Sequence, residues 1–186
     1  MKKNILIFIP SIEDGGVEKN LFIVSNYLNA NNFSVEILTC NFDKSKKFNN
    51  GIKFIGNKNN FWQKKNRKFK YLVCLKILFF NLLLRKDKPL VFAFQANIYA
   101  VLVAKFLNTR VITRSNSAPA GWSKSSIKNT LYKLIIKLAD DVMVNSLAFK
   151  KSFKKQFHVN AKCIYNPFDK GFIKNNLRYN KSKTSF

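Results

Sequence analysis

An α/β domain built on a mainly parallel sheet of about six or seven strands is the fold this sequence predicts. Three observations predict it. Short, wholly apolar runs such as Ile5-Leu6-Ile7-Phe8-Ile9 suit strands buried on both faces. Such runs alternate along the chain with longer segments whose apolar residues recur at helical spacing. Two adjacent glycines, Gly15 and Gly16, lie in the first strand-to-helix turn, at the carboxyl end of the first strand. Open α/β sheets bind ligands at that end, using bare backbone and a helix N-terminus to accept anionic or polyhydroxy groups.

The elements follow in order. After strand 5–9, Pro10 to Asp14 supplies breakers and acids, and Val17, Leu21, Val24 and Leu28 mark the first helix. Asn29 to Asn32 breaks it, Ser34 to Cys40 reads as the second strand, and 41–50 reads as a charged loop. Ile52 to Ile55 alternates as a short third strand. The segment 57–68 is polar and basic, a surface stretch, before a strongly apolar helix from Phe69 to Arg85. Pro89 opens a buried strand to Phe94, and Asn97 is expected to cap a helix reaching Leu107. Arg110 to Arg114 is the next strand, leaving through the small, polar loop 115–121. Ser126 to Leu138 is helical with Ile127, Leu131, Leu134 and Leu138 on one face. Val142 to Val144 is a strand, Ser146 caps a helix through Phe157, and Ala161 to Tyr165 is the last strand. The domain therefore spans 1–169, and 170–186 is a polar, basic tail expected to fray.

With 186 residues the chain has the length of one domain, and 47% apolar content with 19 Phe fits a globular core. Its formal charge of +25 is extreme. AT-rich coding accounts for abundant Lys, Asn, Ile and Phe but not for only 9 acids, so the charge points to an anionic partner: lipid headgroups, a phosphorylated substrate or nucleic acid. Cys40, Cys74 and Cys163 are too dispersed for a metal or redox motif, and His158 is the sole histidine. Three reduced thiols imply the cytoplasm. Lys2-Lys3 before Ile5–Ile9 mimics a signal peptide, but Pro10, Glu13 and Asp14 end the apolar run short of the roughly 7–15 residues export needs. Phe69–Leu84, broken by Lys70, Lys76 and Asn81, falls short of the roughly 20 apolar residues of a membrane span.

The double glycine forms no G-x-G-x-x-G, no acid follows at a strand end, and no G-x-x-x-x-G-K-[ST] is present. On local grounds Gly15 and Gly16 suit any tight turn, and Glu18 complements the helix dipole. Five phrases, taken together, carry more. Ile9-Pro10 followed by Gly15-Gly16-Val17-Glu18-Lys19 resembles the opening of family 4 glycosyltransferases of the GT-B fold. Phe94-Gln95-Ala96-Asn97-Ile98-Tyr99 resembles that family's fourth strand-to-helix turn, and Val111-Ile112-Thr113-Arg114-Ser115-Asn116 its next strand and exit loop. Asp140 to Ser146 resembles the strand and cap before the last Rossmann-like helix, and Ile164-Tyr165-Asn166-Pro167-Phe168-Asp169 the phrase before the second domain.

The resemblance implies a Rossmann-like, three-layer domain, half of a GT-B fold, on the acceptor side. It implies that Gly15 and Gly16 leave room for acceptor or donor phosphates, with Glu18 of the same element at the substrate. Asn97, Arg114, Asn116 and Ser117 would face the cleft between domains, Arg114 as an anion clamp whose fork suits phosphate. The family's frequent histidine in the Arg114 exit loop has no counterpart here. No catalytic residue, metal ligand or resident cofactor is assigned, and a nucleotide-sugar donor is expected only with a complementing C-terminal domain.

The chain runs only to Phe186 after Pro167, so the expectation is a split or truncated enzyme with little activity alone. Its partners would be a sugar or lipid-linked acceptor and a separate donor-domain polypeptide. The lysines around Phe69–Leu84 add an anionic membrane surface, giving a cytoplasmic protein peripheral on the inner face of the cell membrane. The competing reading is a basic α/β module on anionic membrane or nucleic acid. Nucleic acid is disfavoured because the aromatics lie in apolar runs instead of alternating with Arg. A third reading, a complete one-domain nucleotide enzyme, lacks a convincing acid or base at a strand end.

Overall fold

The computed structural model describes residues 3–13, 15–56, 60–119, 122 and 125–167. Asp14, 57–59, Gly121, Phe168-Asp169 and the tail 170–186, all used in the expectations above, lie outside the described residues. Seven parallel strands form one sheet in the order β3-β2-β1-β4-β5-β6-β7. In chain order they are β1 (Asn4–Phe8), β2 (Ser34–Leu38), β3 (Lys53–Ile55), β4 (Leu90–Ala93), β5 (Val111–Ser115), β6 (Asp141–Val144) and β7 (Lys162–Cys163). The helices are α1 (Gly16–Ala30), α2 (Asn60–Gln63), α3 (Arg67–Leu84), α4 (Asn97–Phe106), α5 (Ser126–Ile136) and α6 (Leu147–Phe157). This is the α/β, Rossmann-like sheet expected.

Alternate residues of each strand feed two separate cores. Leu6, Phe8, Val91 and Val111 join α3 to α6 on one face, while Ile5, Ile7, Ile37 and Phe92 join α1 on the other. That double burial is why the central strands β1 and β4 read as unbroken apolar runs.

Several elements depart from expectation. The segment 41–50 contains a 3₁₀ helix, Phe42–Lys47, anchored by Phe48, whose ring sits 4.7 Å from Phe22 and 5.1 Å from Phe54. Within 57–68, α2 forms, and α3 begins at Arg67 because the Asn66 side chain accepts the Phe69 N–H at 3.1 Å. The last strand is two residues long, although Ile164 N–H still donates to Val144 O at 2.8 Å. Asn97 does not cap α4; Ala96 holds that position, and Asn97 is the first helical residue. Ser146 does cap α6, accepting from Phe149 N–H at 3.2 Å. Ile127, Leu131 and Leu134 of α5 face outward, as does Leu138 just past its end, and Ile135 and Ile136 make the core contact.

Candidate functional site

From β1 the chain steps outward through β2 to β3, then crosses to the opposite side of β1 for β4 to β7. The loops leaving β1 and β4 therefore diverge, and a crevice must open at the carboxyl end of the sheet between them. A cleft of about 600 Å³ lies there. Val17 from α1 forms one rim. Phe94 to Asn97 leaving β4 and Arg114 to Ser117 leaving β5 form the floor, with Arg67, Tyr71, Tyr99, Trp122 and Tyr132 around the mouth.

The loop leaving β1 is held by two amides. Gln95 Oε1 accepts the Ser11 N–H at 3.2 Å, bridging the reversal point, and Asn41 Oδ1 accepts hydrogen bonds from the Ile12 N–H at 3.1 Å and from Lys70 Nζ at 3.3 Å. Glu18 is buried and turns back under the same loop, its Oε1 accepting the Glu13 N–H at 3.3 Å. Gly15 precedes α1 in extended backbone, at φ −135°, so it supplies no left-handed turn. What it supplies is space, because a Cβ there would stand 2.8 Å from Glu18 Oε2.

Arg114 is the dominant charge. It is 2% exposed, yet among the described residues it has no carboxylate partner. Its Nη2 donates to Asn166 Oδ1 at 2.9 Å, while its Nε is buried without a partner. Burial pulls its pKa below the ordinary value, but a guanidinium stays charged at physiological pH. The Asn166 contact ties the end of β5 to the Asn-Pro phrase after β7. Asn97 Nδ2 donates to Arg114 O at 2.9 Å, fixing the α4 start against β5, and its Oδ1 is left buried and unpaired, as is that of Asn116. Ala96, φ 51° and ψ 36°, makes the left-handed corner that aims α4 at the cleft. Ser117 accepts from Trp122 Nε1 at 3.0 Å, and Trp122 stacks edge-on against Phe153, Phe157 and Tyr132.

Of the residues singled out from sequence, Asn97, Arg114, Asn116 and Ser117 come together in the cleft. Gly15, Gly16 and Glu18 sit behind its rim, where Val17 is the lining residue. Tyr71, Gln95, Trp122 and Tyr132 were missed; only Gln95, first after β4, carried a usable signal, its place at a strand exit. Among the described residues the lining holds no carboxylate, imidazole, thiol or amine. It offers one buried cation, unpaired amide oxygens and aromatic walls, which suits binding an anion with hydroxyls more than proton transfer. Among the described residues no group of three or more His, Cys, Asp or Glu could hold a metal ion. No helix among them is long and apolar enough to cross a membrane.

No family model matches the sequence, and no curated protein matches it either. Solved structures do. A glycosyltransferase from Rickettsia africae ESF-5 aligns with TM-score 0.61 and 19% identity over 96% of this chain and 50% of its own. Anabaena Alr3699/HepE, solved with UDP, aligns with TM-score 0.60 and 15% identity over 97% of this chain and 50% of its own. The fold is half of a GT-B glycosyltransferase. Phytolacca americana UGT2, solved with UDP-2-fluoroglucose and pterostilbene, agrees at TM-score 0.52 and 11% identity, over 94% of this chain and 56% of its own. The chain thus spans half the length of the first two structures and 56% of the third. At these identities the likeness establishes architecture alone.

Proposed function

We propose that this chain is the acceptor-side lobe of a nucleotide-sugar-dependent glycosyltransferase of the family 4 type, acting in polysaccharide, lipopolysaccharide or glycolipid assembly. The observation that carries the reading is Arg114: a buried cation without a carboxylate, at the carboxyl edge of a sheet shaped like half of a GT-B enzyme. A phosphate or carboxylate on the acceptor would neutralise it. Sugar hydroxyls would donate to Asn97 Oδ1 and Asn116 Oδ1, both left unpaired.

Sugar transfer also needs groups that stabilise the donor's leaving diphosphate as its charge develops. In this reading a second lobe supplies them, and the acceptor-side lobe by itself turns over no donor. Neighbours solved with UDP or with UDP and glucose support a nucleotide-sugar donor for the assembled enzyme. The protein would work in the cytoplasm, at the inner face of the cell membrane.

The test has two arms. The chain is assayed for sugar transfer from nucleotide donors to a lipid extract, alone and with a donor-lobe polypeptide encoded beside it. Transfer is expected only in the pair. Binding of a hexose 1-phosphate to the chain alone is then measured by calorimetry, with a loss of at least about tenfold expected for Arg114→Gln. Turnover by the unaided chain, or hexose phosphate binding that ignores Arg114, would sink the proposal.

A further inference from the structure

Helices α3, α4 and α5 lie side by side on one face of the sheet, and their outer surfaces are apolar. The α5 stripe is the clearest case: Ile127, Leu131, Leu134 and Leu138 recur at i, i+4, i+7 and i+11, and all stand more than half exposed, Ile127 at 83%. Leu102 and Phe106 continue the apolar surface on α4. Helical spacing of this kind normally marks the buried side, and here it marks the other. A contiguous patch spread over three helices is an interaction surface, not the scattered exposure of any monomer.

Charge identifies the occupant. These three helices carry seven Lys or Arg and no Asp or Glu; Lys70 is buried against Asn41 and Lys105 pairs with Asp140, which leaves Arg67, Lys68, Lys76, Lys128 and Lys133. Lys128 and Lys137 flank the α5 stripe in solvent, and Lys76 stands exposed on α3. A second copy of the chain would set cation against cation across the contact. Nucleic acid would take the cations and leave the leucines in water. Only a surface that is anionic outside and apolar just beneath satisfies both components.

We propose that the outer face of α3, α4 and α5 docks flat on an anionic lipid bilayer, the α5 stripe entering the boundary between headgroups and acyl chains. The inference deepens the membrane placement proposed above, and because it uses no residue of Arg114's surroundings it can fail without the sugar-transfer reading failing. It has a geometric consequence for the cleft. Tyr71, Tyr99 and Tyr132, from the same three helices, line the cleft, so its mouth would open beside the membrane surface.

The full chain is floated with vesicles of phosphatidylglycerol and phosphatidylcholine in equal parts, and with phosphatidylcholine alone. Binding is expected to the first and not the second, weakening as salt rises. Leu131→Gln with Leu134→Gln should weaken it about thirtyfold, from two half-exposed leucines denied the acyl boundary. Lys128→Ala with Lys137→Ala should weaken it about twenty-fivefold, at roughly fivefold per cation. Tyr27→Gln, equally exposed but on α1 across the sheet, should change nothing. Thermal unfolding verifies that each variant folds, and the lysine pair decides the matter if the leucine pair does not. Equal binding to neutral vesicles, a leucine pair that folds and binds like wild type, or a dimer dissolved by that pair would each overturn the proposal.

Discussion

Replacing Arg114 with methionine should make the protein more stable and unable to hold an anion. Taking a guanidinium out of water has an effective penalty of several kcal/mol after relaxation. Among the described residues the offset is one hydrogen bond to Asn166, about 1.5–3 kcal/mol for a bond to a charged donor. Methionine fills a similar volume and carries no charge. Asn166 is exposed, so its oxygen returns to water without penalty. The balance favours Arg114→Met by about 1–3 kcal/mol. For a chain of this length that is a rise in Tm of roughly 2–12 °C, at about 2–4 °C per kcal/mol. Calorimetric or urea unfolding of both proteins measures it. Inorganic phosphate gives the second readout: at about ten times its Kd it should add about 1.4 kcal/mol to the wild type and nothing to the variant. A variant that melts several degrees lower would mean that Arg114 is already satisfied in the unliganded fold, and the reasoning from an unpaired cation would fail.

The two glycines should separate cleanly. Gly15→Ala crowds Glu18 Oε2, so the carboxylate that accepts the Glu13 N–H through Oε1 must shift, and the cost is expected to be at most about 1 kcal/mol, whereas Gly16→Ala meets nothing within 4 Å and should be neutral or better in urea titrations. If Gly16→Ala instead weakens hexose phosphate binding, the glycines serve the ligand's approach. Burial pushes the Asp140 carboxyl up, but the Lys105 ammonium at 2.6 Å, the Val111 N–H at 2.7 Å and the Arg110 charge outweigh it and hold the pKa below the usual range. This acid's contribution is present above its unfolded pKa of about 3.9 and is lost as pH falls through the lowered native value. Asp140→Asn should therefore cost about 1–2 kcal/mol at neutral pH, with urea midpoints converging in strong acid. Cys40 and Cys74 are fully buried with sulfurs 3.4 Å apart. Hydrogen bonding to Cys40 and then burial push the Cys74 thiol up, so iodoacetamide on the native protein should label Cys163 alone; labelling of Cys74 before unfolding would contradict this packing.

Sheet and helix order were readable in the sequence because a parallel sheet covered on both faces leaves continuous apolar runs, as in β1 and β4, while β2 and β5 keep enough apolar residues to read as strands between turn signals. Edges were less readable. At β7 two ladder residues suffice, so Ala161 to Tyr165 looked longer than it is. The α5 stripe misled for a physical reason: periodicity reports that a helix has an apolar side, not what covers it. Asn97 has a good capping side chain but stands one residue inside the helix, because Ala96 takes the turn itself, which propensity would not choose. In the cleft, Arg114 and Asn97 were found through their strand-exit positions. Its aromatic walls were not, because Tyr71 and Tyr132 read as ordinary members of amphipathic helices until three dimensions brought them together.

Ala96 has a consequence for how a guest would be received. A left-handed alanine sits about 1 kcal/mol above the same corner made by glycine, yet its methyl group removes most of the alternative conformations a glycine would sample. The bend into α4 is therefore stiff, and the Asn97 amide is pointed before any visitor arrives. Glycine at 96 would ease the local backbone while letting that wall swing, trading a firmer resting molecule for a looser grip.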